Sequence, residues 1–156
     1  MHITFAPRGI LQIDDARIIY RNFSGVGSKF NREGDRNFAV VIPDKDTMDA
    51  LVNEGWNVKS KPSRYEGEED FMWFPVKVRF NDRGPAVYLK TGDTVNRLDE
   101  DSVRILDNID ILSVDLDIGP YDWEVNGKPG RSAYLQGITV TQKIDRFTAR
   151  YSTKDE

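Results

Sequence analysis

The chain has 156 residues, 38% hydrophobic and 31% charged, with no cysteine, one histidine and a formal net charge of -4. This size suits one domain with a real core, and no apolar run approaches the length of a membrane-spanning helix. Without cysteine there is no disulfide or thiolate metal site. With His2 as the only histidine, no Ser-His-Asp triad, Cys-His pair or multi-histidine zinc centre can form within one copy.

The opening "MHITFAPRGILQ" lacks the basic-then-apolar signature of a secretory signal, which is compatible with a cytoplasmic location. A long bent strand is expected first, in "ILQIDDARIIYRNF". Leu11 and Ile13 share one face; the phase then shifts near Asp14-Asp15, so that Ala16, Ile18 and Tyr20 share the other parity. A bulge there would bend the strand as small barrels require. The stretch "NFSGVGSKFNREGDRNF" follows as a glycine-rich loop, and "NFAVVI" (37–42) reads as the second strand.

A short helix is expected in "PDKDTMDALVNEGWNVK", N-capped by Asp44 and stopped at Gly55, with Met48, Leu51 and Val52 as a stripe for core packing. "FMWFPVKVRF" (71–80) alternates with period two: Met72, Phe74, Val76, Val78 and Phe80 on one side, Phe71, Trp73, Pro75, Lys77 and Arg79 on the other. "AVYLKTG" continues after an "NDRGP" turn, and a second short helix is expected around 99–107. "IDILSVDLDIG" should be a strand with Leu112, Val114, Leu116 and Ile118 inward. A long hairpin tip, "PYDWEVNGKPGR", leads to the last strand, 132–142, with a change of phase at Gly137. The pattern predicts a mainly β protein: a small OB-fold-like barrel with one or two short helices and a long hairpin between the last two strands. An open β-sandwich is the alternative. Residues 1–145 would form the domain and 146–156 a tail.

The loop core "SGVGSK" invites comparison with a phosphate-binding loop. The comparison fails, because Ser28 separates Gly27 from Lys29 and the chain continues into a strand, leaving no helix N-terminus for phosphates. Charge is uneven instead. Arg17, Arg21, Lys29, Arg32 and Arg36 face only Glu33 and Asp35 between 17 and 38, whereas Asp93, Asp99, Glu100, Asp101, Asp107, Asp110, Asp115 and Asp117 outnumber Arg97 and Arg104 further on. An acidic protein can therefore carry a basic face.

Three regions combine cations with aromatics, as single-strand binders do because every base has a π-face and every nucleotide a charge. In the glycine-rich loop, Arg21, Lys29, Arg32 and Arg36 would meet phosphates and Phe30 would stack on a base; a mobile solvated hairpin is the competing reading. On the outward face of 71–80 stand Trp73, Lys77 and Arg79, with a Trp packed under the 60–70 loop as the plainer alternative. At the hairpin tip are Tyr121, Trp123, Lys128 and Arg131, against a packed Trp and an Asn126-Gly127 turn. For catalysis only acids remain. Asp115 and Asp117 share a strand face and could hold a divalent metal as nucleases do, although alternating Asp with apolar residues is also what a half-exposed strand looks like.

The run "ARIIYRNFSG…KFNREGDRNFAVVIPD…LVNEGWNVK", together with "DLDIGPYDWEVNGKPGRSAYLQGITVTQ", resembles OB-fold single-stranded-DNA-binding proteins of phages and prophages. The resemblance implies a non-enzymatic protein that coats ssDNA, without sequence preference, during replication or recombination in a bacterial or phage-infected cell. It implies no catalytic residue, metal or cofactor. RNA is not distinguished from DNA as the partner, and homo-oligomers and replication or recombination proteins stay open as further partners. Proteins of that kind often carry a long acidic C-terminal tail, whereas this chain ends "FTARYSTKDE". The alternatives are a phage-related structural or protein-interaction module and the metal-dependent nuclease.

Overall fold

The computed structural model describes residues 1–144; the anticipated 146–156 tail lies outside them. Ten strands form one sheet: β1 (His2–Phe5), β2 (Leu11–Ala16), β3 (Ile18–Asn22), β4 (Arg36–Ile42), β5 (Lys59–Lys61), β6 (Phe71–Val78), β7 (Ala86–Thr91), β8 (Thr94–Leu98), β9 (Ile111–Val125) and β10 (Lys128–Gln142). The hydrogen-bonded path runs β1-β2-β9-β10-β6-β4-β3, with β5 also on β6, β7 on β10 and β8 on β7.

The expected bulge is present. The β2–β9 register slips between Ile13 and Ala16, Asp15 takes a left-handed φ of 54°, and its N–H donates to the Asp115 carboxylate at 2.8 Å. Leu11, Ile13, Ala16 and Ile18 all point into the core as a result. β2 pairs with β9 and β3 with β4, so a single run broken only at Arg17 serves both sides of the sheet. This is the strand order of the OB-fold's partly open barrel. The ladder itself is not closed into a barrel: β2 and β3 meet end to end through the bend rather than side by side.

Side-chain alternation builds the core around Phe23, Phe38, Phe74, Val76, Leu116 and Ile118, all essentially buried. Helix α1 (Lys45–Asn53) is capped as anticipated, with Thr47 N–H donating to Asp44 at 2.7 Å and holding that carboxyl below its ordinary range. Of its stripe, Leu51 is buried and Met48 packs on the core, but Val52 is exposed; Trp56, just past the helix, is buried edge-on to Phe74 instead. The second helix is only a 3-10 turn, Val103–Asp107. Asp99 accepts from the Ser102 N–H and hydroxyl and from the Asp101 N–H there, which lowers its own pKa and favours a tight turn over a helix. β1, β5 and β8 were not anticipated. All are short and mostly exposed, with Leu98 the one buried side chain among them, so none shows a periodic apolar signal.

Leu112, expected inside, is outside like Val52, and so is Tyr20, which shares the parity of Ala16 and Ile18. Leu112 is 66% exposed because Ile111 pairs Gln142 while Ser113 pairs Thr141, leaving Leu112 as the extra residue of a bulge. Tyr20 is 64% exposed because its own φ of 54° turns the ring out and lets Phe23 turn in. The phase change near Gly137 is a bulge at Gln136, between pairs Leu135–Ile118 and Gly137–Asp117; there β10 passes from β6 to β7. Leu112→Ala is expected to lower stability by less than about 0.5 kcal/mol, whereas Leu116→Ala should cost about 2–5 kcal/mol, both read from urea unfolding.

Candidate nucleic-acid interface

The outward side of β4 and β6 forms the floor of a groove of about 920 Å³, lined among others by Tyr20, Phe30, Arg36, Lys59, Trp73, Lys77, Arg79 and Tyr134. Period-two geometry explains the floor: the residues that bury Met72, Phe74 and Val76 leave Trp73, Pro75 and Lys77 facing out. Trp73 stacks on Phe71 at 5.5 Å between centroids and 26° between planes, and meets the Tyr20 ring edge-on at 6.4 Å. Lys59 on β5 pairs directly with Trp73, and Lys61 with Phe71, placing two cations beside the stacked pair. Further along, Lys77 lies over the Tyr134 ring at 5.8 Å, and Tyr121 meets Tyr134 edge-on at 6.2 Å. A second recess of about 660 Å³, lined by Arg79, Arg83, Tyr121, Tyr134 and Gln136, continues from the first through shared Arg79 and Tyr134.

The glycine-rich loop forms one rim, as a wired finger rather than a slack hairpin. Asn22 exchanges hydrogen bonds with Val26, Gly34 N–H donates to Gly25 at 2.8 Å, and Gly27 N–H donates to Glu33 at 2.6 Å. Asn31 amide hydrogens reach the carbonyls of Val26 and Asp35. Gly25, with φ of 71°, lies so close to Gly34 that a Cβ would come within 3.1 Å of its backbone. At the finger's base Asp107 accepts the N–H groups of Phe23 and Ser24. At its tip Phe30 is 92% exposed, with Lys29 over its ring at 5.7 Å and Arg32 exposed nearby.

The hairpin of β9 and β10 forms the other rim, and its strands run to the tip, closed by Asn126 and Gly127 with φ of 52° and 78°. Trp123 lies flat across Gly130, whose Cβ would overlap the indole, and donates to Ser132 at 3.1 Å. Lys128 stands exposed at the tip.

No curated protein matches the chain. Among solved structures, the single-stranded DNA-binding protein of bacteriophage Enc34 superposes with a TM-score of 0.58 at 13% identity, over 93% of this chain and 87% of that one. Its C-terminal truncation gives 0.57 at 13%, over 90% of each chain, and its complex with ssDNA gives 0.57 at 14%, over 93% of each. At such identities the likeness is one of fold. The pattern of one sequence family, described as "Putative phage ssDNA-binding domain", matches residues 3–156. The chain belongs to that family.

In this phage ssDNA-binding domain the twelve anticipated contact residues separate into two groups. Phe30, Trp73, Lys77, Arg79 and Tyr121 line the two joined recesses, with Lys29 and Arg32 on the finger and Lys128 and Trp123 on the hairpin. Three arginines have internal partners. Arg21 donates to the carbonyls of Leu106 and Ile109, both at 2.7 Å. Arg131 faces away from Trp123 on its strand, pairs with Asp122 at 2.6 Å, binds Glu54 carbonyl and covers Trp56 at 5.1 Å. That pairing lowers Asp122 and raises Arg131 from their ordinary values. Arg36 is divided: it lines the groove but binds the Phe23 carbonyl and Glu100.

Tyr20, Lys59, Phe71, Arg83 and Tyr134 were missed. Alternation with buried Ala133 and Leu135 already places Tyr134 outward, so that one was legible; Tyr20 was hidden by its unusual φ. Asp115 is occupied at the β2 bulge, and among the described residues no group of three or more His, Asp or Glu side chains gathers around it or anywhere else. Asp107→Ala strands two N–H groups at the finger's base and is expected to lower stability by about 1–3 kcal/mol, read as a shift in the denaturation midpoint at unchanged slope.

Proposed function

We propose that the chain binds single-stranded DNA along the groove between the finger and the hairpin, without sequence preference, and coats it during phage replication or recombination. The observation that carries this reading is a pair of aromatic groups, Phe71–Trp73–Tyr20 and Tyr134–Tyr121, with Lys59, Lys77 and Arg79 lining the groove beside them. Exposed rings with cations beside them match the chemistry of a strand of stacked bases and phosphates. Family membership and the ssDNA held by the Enc34 structure of the same fold support the ligand class.

The role is non-enzymatic in this reading, because Asp115, one of the two acids considered for a metal, accepts the Asp15 N–H instead. A cytoplasmic site of action fits a protein with no helix, among the described residues, long and apolar enough to cross a membrane.

Stacking predicts that Trp73→Ala and Tyr134→Ala each weaken binding to labelled oligo-dT by about 1–3 kcal/mol. Arg131→Ala should leave that affinity nearly unchanged while lowering stability. Each of Lys77→Gln and Arg79→Gln should reduce the slope of log K against log salt by about 0.7 if it neutralises one phosphate. Equal affinity for duplex and oligo-dT, insensitive to Trp73, would replace this reading by a general basic patch.

A further inference from the structure

Within the groove one cation has an anion already in place. Arg36 is fixed from three sides: its Nε donates to the Phe23 carbonyl at 3.0 Å, its guanidinium covers the Phe80 ring at 5.5 Å, and its two terminal nitrogens reach Glu100. Nη1 meets the Glu100 carboxylate at 3.2 Å and Nη2 the Glu100 carbonyl at 3.4 Å. The Arg36 side chain is only 19% exposed, whereas that of Glu100 is 61% exposed, and both residues line the same groove. The guanidinium is therefore preset, and its carboxylate partner is the solvated half that can swing away.

Building on the ssDNA reading, we propose that Glu100 is an internal stand-in for a DNA phosphate at Arg36 and sets an upper limit on affinity. A carboxylate and a phosphate both offer a guanidinium two acceptor oxygens in one plane, so they compete for the same nitrogens. In the free protein Glu100 neutralises Arg36. In the complex a backbone phosphate takes Nη1, and Glu100 turns to water. The exchange is nearly balanced, because an ion pair whose carboxylate is solvated contributes little by itself. Its consequence is a groove that holds DNA less tightly than its cations allow and lets it go more readily. Glu100 is the only acid in contact with an arginine of this groove among the described ion pairs.

The test is a titration of labelled oligo-dT at several salt concentrations with the full chain and with Glu100→Gln, Arg36→Gln and the double variant, each checked by thermal melting. Glu100→Gln is expected to bind about two- to fivefold more tightly at low salt, with a slope of log K against log salt steeper by about 0.7. The double variant should show no gain over Arg36→Gln. Should Glu100→Gln not fold, Glu100→Ala carries the same comparison. Unchanged or weaker binding by a folded Glu100 variant overturns the proposal, as does an equal gain in the Arg36→Gln background, which would mean bulk charge alone. If the unsubstituted chain does not bind oligo-dT at all, the groove reading falls and takes the proposal with it.

Discussion

One bend in the backbone organises this molecule. Between Asp14 and Arg17 the chain takes an extra residue, adopts a left-handed φ at Asp15, and redirects itself so that β2 can pair with β9 while β3 pairs with β4. The Arg17 carbonyl accepts the Val41 N–H at 2.9 Å, so even the residue between the two halves is tied to β4. A straight strand could serve only one of these neighbours, and the sheet would flatten and lose its enclosed core. The bend also sets the site. It brings β4 and β6 beneath Tyr20 and sends the chain out of β3 as the finger that walls the groove.

The two rims owe their shape to different devices. The finger is held by side-chain amides and carboxylates acting on its own backbone, which replaces the missing strand pairing between β3 and β4 beyond Asn37. The hairpin is held by a regular ladder and by the Arg131 bridge from Asp122 to the end of α1. Each rim can therefore present a ring, Phe30 on one and Tyr121 on the other, from a base that has already given up its conformational freedom. A partner then meets aromatic surface whose ordering cost was met in folding.

Much of this was readable from residue order. Strict alternation in 71–80 forecast both the core and the outward Trp73, Lys77 and Arg79, and the Asp14-Asp15 slip forecast the bend. Where the sequence misled, local backbone geometry had overridden periodicity: the bulge at Leu112 and the positive φ at Tyr20 reverse the face without altering composition. Charge misled in another way. Arg21, Arg36 and Arg131 look like free cations in a string of letters, and only the fold reveals the carbonyls and carboxylates, 85, 64 and 9 residues distant, that engage them. Long-range partners leave no local signature.

That division of the arginines determines what kind of binder this is. A chain of net charge -4 gains no long-range attraction for a polyanion as a whole, and salt at about 0.1 M confines each charge to roughly 10 Å. In the proposed reading attraction comes from cations standing inside the groove, of which Lys59, Lys77 and Arg79 have no ion-pair partner among the described residues. With few phosphates neutralised, that reading expects a shallow salt dependence and little non-specific hold on duplex, whose bases are hidden. The larger share of affinity then falls to the rings, which reach only bases that are already unpaired. In that reading, preference for single strands follows from having tied Arg21, Arg36 and Arg131 to internal partners and left the aromatics uncovered.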